Sequence, residues 1–126
     1  MAAVSRRPKY LNLVKIRLPI PGIVSFAHRV SGVLMFLAIP FFAWLLHLSV
    51  VSEAGYGQVA SVLQLPLIKL GLLLLAWSVY HHLFAGIRYL LIDVDIGVDL
   101  ISARTSAVIV FISGLVAAAI TLMVIM

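Results

Sequence analysis

The twenty residues from Ala107 to Met126 contain no charged side chain. About twenty consecutive apolar residues are what a helix needs to cross the ~30 Å hydrocarbon layer of a bilayer. Two further runs of the same kind precede this one. The first extends from Gly22 to about Val51 with Pro40 as its only helix breaker, and the second begins near Pro66 and ends at Ile92, before Asp93. Hydrophobic residues make up 64% of the 126 and charged residues 10%. A water-soluble domain carries roughly 25% charged and about 45–50% apolar residues, and one this small has no interior for such an excess. The chain therefore reads as an all-α integral membrane protein with three transmembrane helices.

Residues 1–126 form one membrane domain, divided into an amino-terminal segment over 1–21 and spans over 22–51, 65–92 and 105–126. No apolar stretch of signal-peptide type precedes a small-residue cleavage site. A helix over 22–51 would be about 45 Å long, so its first turns are expected at the membrane interface, and Pro40 is expected to kink it. Ser52, Glu53, Gly55 and Gly57 mark a polar link to about Ser61, and 93–105 reads as a loop with room for a short surface helix.

Charge sets the topology. Arg6, Arg7, Lys9, Lys15, Arg17, Arg29, Arg88 and Arg104 fall on one side of the spans and only Lys69 on the other. By the positive-inside rule the amino terminus is cytoplasmic and the carboxyl terminus is outside. The net charge of +5 is thus topological, and no nucleic acid partner is implied. With no cysteine, thiolate metal sites, iron–sulfur ligation and thiol catalysis are excluded within the chain. Asp93, Asp95 and Asp99 lie around Gly97, but their offsets do not fit a calcium loop. No phosphate-binding glycine loop, nucleophile elbow or carboxylate pair is present, which argues against an enzyme complete in this chain.

Ionisable groups within or beside lipid-spanning segments are functional candidates, because lipid exposure costs them several kcal/mol. Ser25, His28 and Arg29 lie at spacings of three and four on the opening turns of the first span. A hydroxyl, an imidazole and a fixed cation on one patch suit a carbonyl or carboxylate; equally, Arg29 can contact lipid phosphates and His28 the headgroup layer. In the second span Ser78, His82 and Gly86 form a small–ligand–small stripe. A flat macrocycle could approach the helix there with the imidazole facing its metal, while Ser78 or its carbonyl takes the other ring proton. A hydrogen-bonded packing histidine or a close helix crossing fits the same stripe. His81 projects about 100° away from His82 and does not share it. Arg88 reads mainly as a cytoplasmic end anchor and His47 as an interfacial residue.

Two motifs then resemble a known family. Arg7 and Pro8, followed by Ser25, His28, Arg29, Val30, Ser31 and Gly32, are similar to the amino-terminal signature of the cytochrome b556 membrane-anchor subunit of succinate dehydrogenase. His82, Gly86, Ile87, Arg88 and Asp93 resemble its second signature. The likeness covers essentially the whole chain, with departures at Lys9, Tyr89 and Ile92. It implies a haem-binding helix bundle shared with a second membrane-anchor subunit, in a heterotetramer with an iron–sulfur subunit and a flavoprotein subunit in a bacterial inner membrane. His82 would be the axial ligand of haem b, and the partner anchor would supply the other histidine. Ser25 and Arg29 would line the ubiquinone site, with Leu13, Leu18 and Phe26 as apolar walls. His28, Arg29 and Arg88 would lie near the haem propionates. His82 is eleven residues from Asp93, about 16 Å along a helix, and Arg29 is seven from Gly22, about 10 Å, so antiparallel spans bring both into the cytoplasmic half.

Two other functions fit parts of this pattern. A fumarate reductase anchor would use the same groups with menaquinol as donor. A small transporter or purely structural membrane protein would be expected to carry an acidic residue within a span, and none lies there.

Overall fold

The structure, a computed structural model, describes residues 17–125, with side chains through Val124. Four helices follow one another: α1 (Ile20–Val51), α2 (Glu53–Leu63), α3 (Pro66–Asp93) and α4 (Leu100–Ile125). Among the described residues there is no strand. The three helices α1, α3 and α4 are long and apolar enough to cross a membrane.

Proline punctuates the helix starts. Pro19 is extended and its carbonyl accepts from Gly22 and Ile23 at 2.8 and 3.1 Å, while Pro21 lies in the first turn, where no N–H is needed. Leu65 is extended, as a residue before proline should be, and Pro66 opens α3. Inside α1, Pro40 does not interrupt the helix, which runs on for 32 residues in all.

The expected link after the first span is helical instead. Ser52 leaves α1 in an extended conformation and its Oγ accepts from the Gly55 N–H at 3.0 Å, capping α2. Glu53 adds an acid to the positive end of that helix. Gly55 is needed because a Cβ there would collide with the Leu48 carbonyl. Two glycines in a short polar stretch concealed a helix whose start is set by its cap.

The loop expected over 93–105 is also shorter, since α4 begins at Leu100. Ile96 N–H bonds to the Leu91 carbonyl and Asp95 N–H to that of Ile92, both at 2.9 Å. This paired pattern closes a helix with one left-handed residue, here Asp95 at φ 61°. After Gly97, also at positive φ, the Asp99 carboxylate accepts from Ile101 and Ser102 N–H at 3.1 and 2.9 Å and opens α4. Within 102–106, whose composition looks loop-like, Ala103 and Ser106 accept hydrogen bonds from Arg88 of α3.

Helix α3 is central and packs antiparallel to both α1 and α4: Val24 meets Ala85, while Tyr80 Oη bonds Thr121 Oγ1 at 2.8 Å and Arg88 reaches Ala103. Lipid tails are as apolar as leucine, so membrane helices associate through close packing of small residues and hydrogen bonds. Ala85 and Ala107 are fully buried, and Gly114 lies against the backbone of His81. Large apolar side chains point outward instead, among them Leu67 (78% exposed), Ile101 (78%) and Met123 (80%). Such a surface suits lipid or neighbouring helices and not water.

Candidate functional site

The opening turns of α1 and the last turns of α3 lie side by side, and two histidines meet there. The rings of His28 and His82 stack with centroids 4.0 Å apart and planes 15° from parallel. His82 Nδ1 is 3.0 Å from the backbone carbonyl of His28 and 3.1 Å from Ser31 Oγ. A carbonyl accepts and never donates, so Nδ1 carries the proton and Nε2 keeps its lone pair. Among the described residues Nε2 has no hydrogen-bond partner. An imidazole pinned through one nitrogen and open at the other is the usual form of a metal-ligating histidine.

The partner expected from the sequence is not the one observed. Ser78 is fully buried, but its hydroxyl donates to the Leu74 carbonyl in its own helix at 2.8 Å. A serine within a helix satisfies itself most easily on the preceding turn, which takes it away from His82. The α1 residues do the work instead. Ser31 stands in the first motif without an assigned part, and no helical spacing relates it to His82, because their 51-residue separation is closed only by packing.

Small residues shape this meeting point. A Cβ on Gly32 would stand 3.0 Å from His82 Cε1, tight enough to displace the ring. A Cβ on Gly86 would stand 3.8 Å from His28 Nε2, in ordinary contact. Tyr89 turns its ring edge to His28 at 5.3 Å, and its buried hydroxyl has no partner among the described residues.

His81 occupies different surroundings. It is fully buried between the stacked ring of Trp77, at 5.2 Å, and the edge of Phe111, at 6.3 Å. Both of its ring nitrogens are buried without a hydrogen-bond partner. Its ring is enclosed by α4 and by the Val24 backbone of α1.

The basic patch divides. His28 turns to α3, Ser25 is half-buried, and Arg29 and Phe26 are exposed on the outer side of α1. Neither Ser25 nor Arg29 makes a side-chain hydrogen bond among the described residues. Leu18 is exposed just before α1, and Leu13 lies outside the described residues. Arg88, read from the sequence as an end anchor and as a neighbour of haem propionates, is engaged with α4. It is 6% exposed, donating from Nε to Ser106 Oγ and from Nη2 to the Ala103 carbonyl, both at 3.0 Å. Its guanidinium therefore faces α4, because a buried cation takes the nearest acceptors and those lie on that helix.

Fold and site together define a three-span helical membrane protein with a stacked, hydrogen-bonded histidine pair where two spans meet. The family model for the succinate dehydrogenase/fumarate reductase transmembrane subunit matches residues 3–122, and the chain belongs to that family. It is 35% identical over 114 residues to the succinate dehydrogenase cytochrome b556 subunit of Coxiella burnetii, covering 90% of this chain and 91% of that one. The subunit of the same name from Paracoccus denitrificans is 30% identical over 129 residues, covering 98% and 97%. That from Rickettsia felis is 33% identical over 93 residues, covering 74% and 72%. The resemblance drawn from the two motifs is borne out, and the reading as an unrelated transporter is set aside.

Proposed function

We propose that this chain is the haem-bearing membrane anchor of a bacterial succinate dehydrogenase, in which electrons from succinate oxidation reach ubiquinone within the membrane. The observation that carries the reading is the state of His82, with Nδ1 held by the His28 carbonyl and Ser31 and Nε2 left open. His82 would be one axial ligand of haem b, and a second membrane anchor would contribute the other. Gly32 fits such a role for His82, since a side chain there would displace the ring. When bound, haem would supply a one-electron store.

The outward Arg29 and the half-buried Ser25 would meet the quinone, with Phe26 and Leu18 as apolar walls and Leu13 as a further one. Ser25 would donate to a carbonyl oxygen, and Arg29 would stabilise the negative charge that develops as the ring is reduced. His28 and Arg29 would also be the basic groups available to the haem propionates, Arg88 being engaged with α4. An iron–sulfur subunit and a flavoprotein subunit would dock on the cytoplasmic side. Eight of the nine basic residues support that side for the amino terminus, with the carboxyl terminus periplasmic.

The test is the reduced-minus-oxidised visible spectrum of the purified complex. A b-type haem band is expected in the native complex, with loss of native axial ligation in His82→Leu. A native complex that reduces quinone and contains no haem would overturn the haem assignment.

A further inference from the structure

The contact between Ser31 and His82 is more specific than helix packing requires. Ser31 is fully buried, and its hydroxyl donates to the His28 carbonyl at 2.8 Å. A serine hydroxyl has one hydrogen, so once that is given to the carbonyl only its lone pairs face His82. The Nδ1 proton therefore meets two acceptors, the carbonyl at 3.0 Å and the serine oxygen at 3.1 Å. Donation to the carbonyl also orients the serine lone pair, and hydrogen bonds joined in this way polarise one another in a low dielectric.

We infer that Ser31 is a positioning residue for His82, holding the ring in one tautomer and, with the His28 carbonyl, setting how strongly Nε2 donates electrons to a haem iron. The inference rests on the proposed ligation by His82. A stronger pull on the Nδ1 proton makes the imidazole more basic at Nε2 and favours the more highly charged ferric iron. Removing the serine oxygen leaves one acceptor, so Nε2 becomes a weaker donor and the ferrous state gains. Gly32, next in the chain, supports the same geometry, because a side chain there would displace the ring from both acceptors.

The experiment uses the assembled complex with Ser31→Ala and Ser31→Cys, the sulfur being a weaker acceptor than oxygen. Haem content, the low-spin ferric electron paramagnetic resonance signal and the haem midpoint potential are measured in each. Both variants are expected to keep six-coordinate haem, with the largest g value and the midpoint potential rising in the order Ser, Cys, Ala. Looser haem retention, about 10-fold in Ser31→Ala, is expected alongside. A haem-loaded Ser31→Ala complex with unchanged g values and potential would overturn the inference, because a merely structural contact would alter stability alone. If Ser31→Ala does not assemble, an unchanged potential in Ser31→Cys has the same force. The ligation reading fails separately, when His82→Leu keeps the native axial spectrum whatever the serine variants do.

Discussion

The ring of His82 on α3 lies flat against that of His28 on α1 at 4.0 Å, while its Nδ1 reaches the carbonyl of the same His28 at 3.0 Å. His28 thus supports His82 twice, by its side chain and by its backbone. Replacing the His28 side chain would leave the carbonyl in place, so the tautomer of His82 does not depend on the identity of residue 28.

The two neighbouring histidines should respond to substitution in opposite ways. His82→Leu is expected to abolish the native axial spectrum. His81→Leu should preserve it and change thermal stability little, since a buried ring with no hydrogen bond of good geometry is exchanged for apolar atoms of similar volume. Visible spectra and melting of the complex in detergent read both effects. A change of axial spectrum in His81→Leu alone would reverse the assignment.

At the quinone patch, Ser25→Ala should chiefly raise the apparent quinone KM, by about 2- to 10-fold for a lost hydrogen bond of roughly 0.5–1.5 kcal/mol. Arg29→Leu should lower kcat more than it raises KM, because its charge matters most as the ring becomes negative. Both variants should still pass electrons from succinate to an artificial acceptor at the soluble subunits. Steady-state quinone reductase kinetics check the split, and normal values in both would return the patch to an interfacial anchor.

Gly114 and Gly71 should differ in sign. A Cβ on Gly114 would approach the Cα of His81 to 3.3 Å, against backbone that has little freedom to move. Gly114→Ala is expected to cost about 1–3 kcal/mol from overpacking, more than the ~1 kcal/mol of helix propensity it gains. Gly71→Ala meets nothing within 4 Å and should be neutral or stabilising. Melting temperatures of the two complexes compare them directly.

Asp95 closes α3 in the left-handed region at φ 61°, a conformation that costs most side-chain-bearing residues roughly 1–2 kcal/mol. Asp95→Gly should relieve about 1 kcal/mol of this and slow amide exchange at Ile96, whose N–H completes the turn. Faster exchange in the variant would show that the aspartate side chain supports the turn itself.

The Asp99 carboxyl is held below its usual pKa, first by the Ser102 side chain and then by the backbone N–H groups of Ser102 and Ile101. A lowered folded pKa means that the cap is fully effective above the unfolded value near 3.9 and is lost as pH falls through the lower folded one. Exchange protection of the Ile101 and Ser102 amides, after correction for the intrinsic pH dependence of exchange, should therefore hold down to about pH 4 and decline in stronger acid. Asp99→Asn should remove that acid-linked decline. Loss of protection already near pH 6 would contradict the sign.

Three spans and the positions of the two motifs were legible in the sequence because lipid imposes them. A backbone in hydrocarbon must satisfy its own hydrogen bonds, so a long apolar run has essentially one solution, and Pro19, Pro21 and Pro66 mark where such helices begin. The signature residues from Ser25 to Gly32 and from His82 to Asp93 were legible for a simpler reason, since each group lies within a few turns of one helix. What lies between elements was not. The α2 helix depends on a serine cap and on a glycine passing a carbonyl, and the early start of α4 depends on Asp99. Helical periodicity relates Ser78 to His82 but is silent about Ser31, and it leaves the aim of Arg88 undetermined. Only the packing of α3 between α1 and α4 sends His82 to the acceptors of α1 and Arg88 to those of α4. A buried donor takes whichever acceptor the neighbouring helix brings within 3 Å, and which helix that is remains a property of the folded bundle.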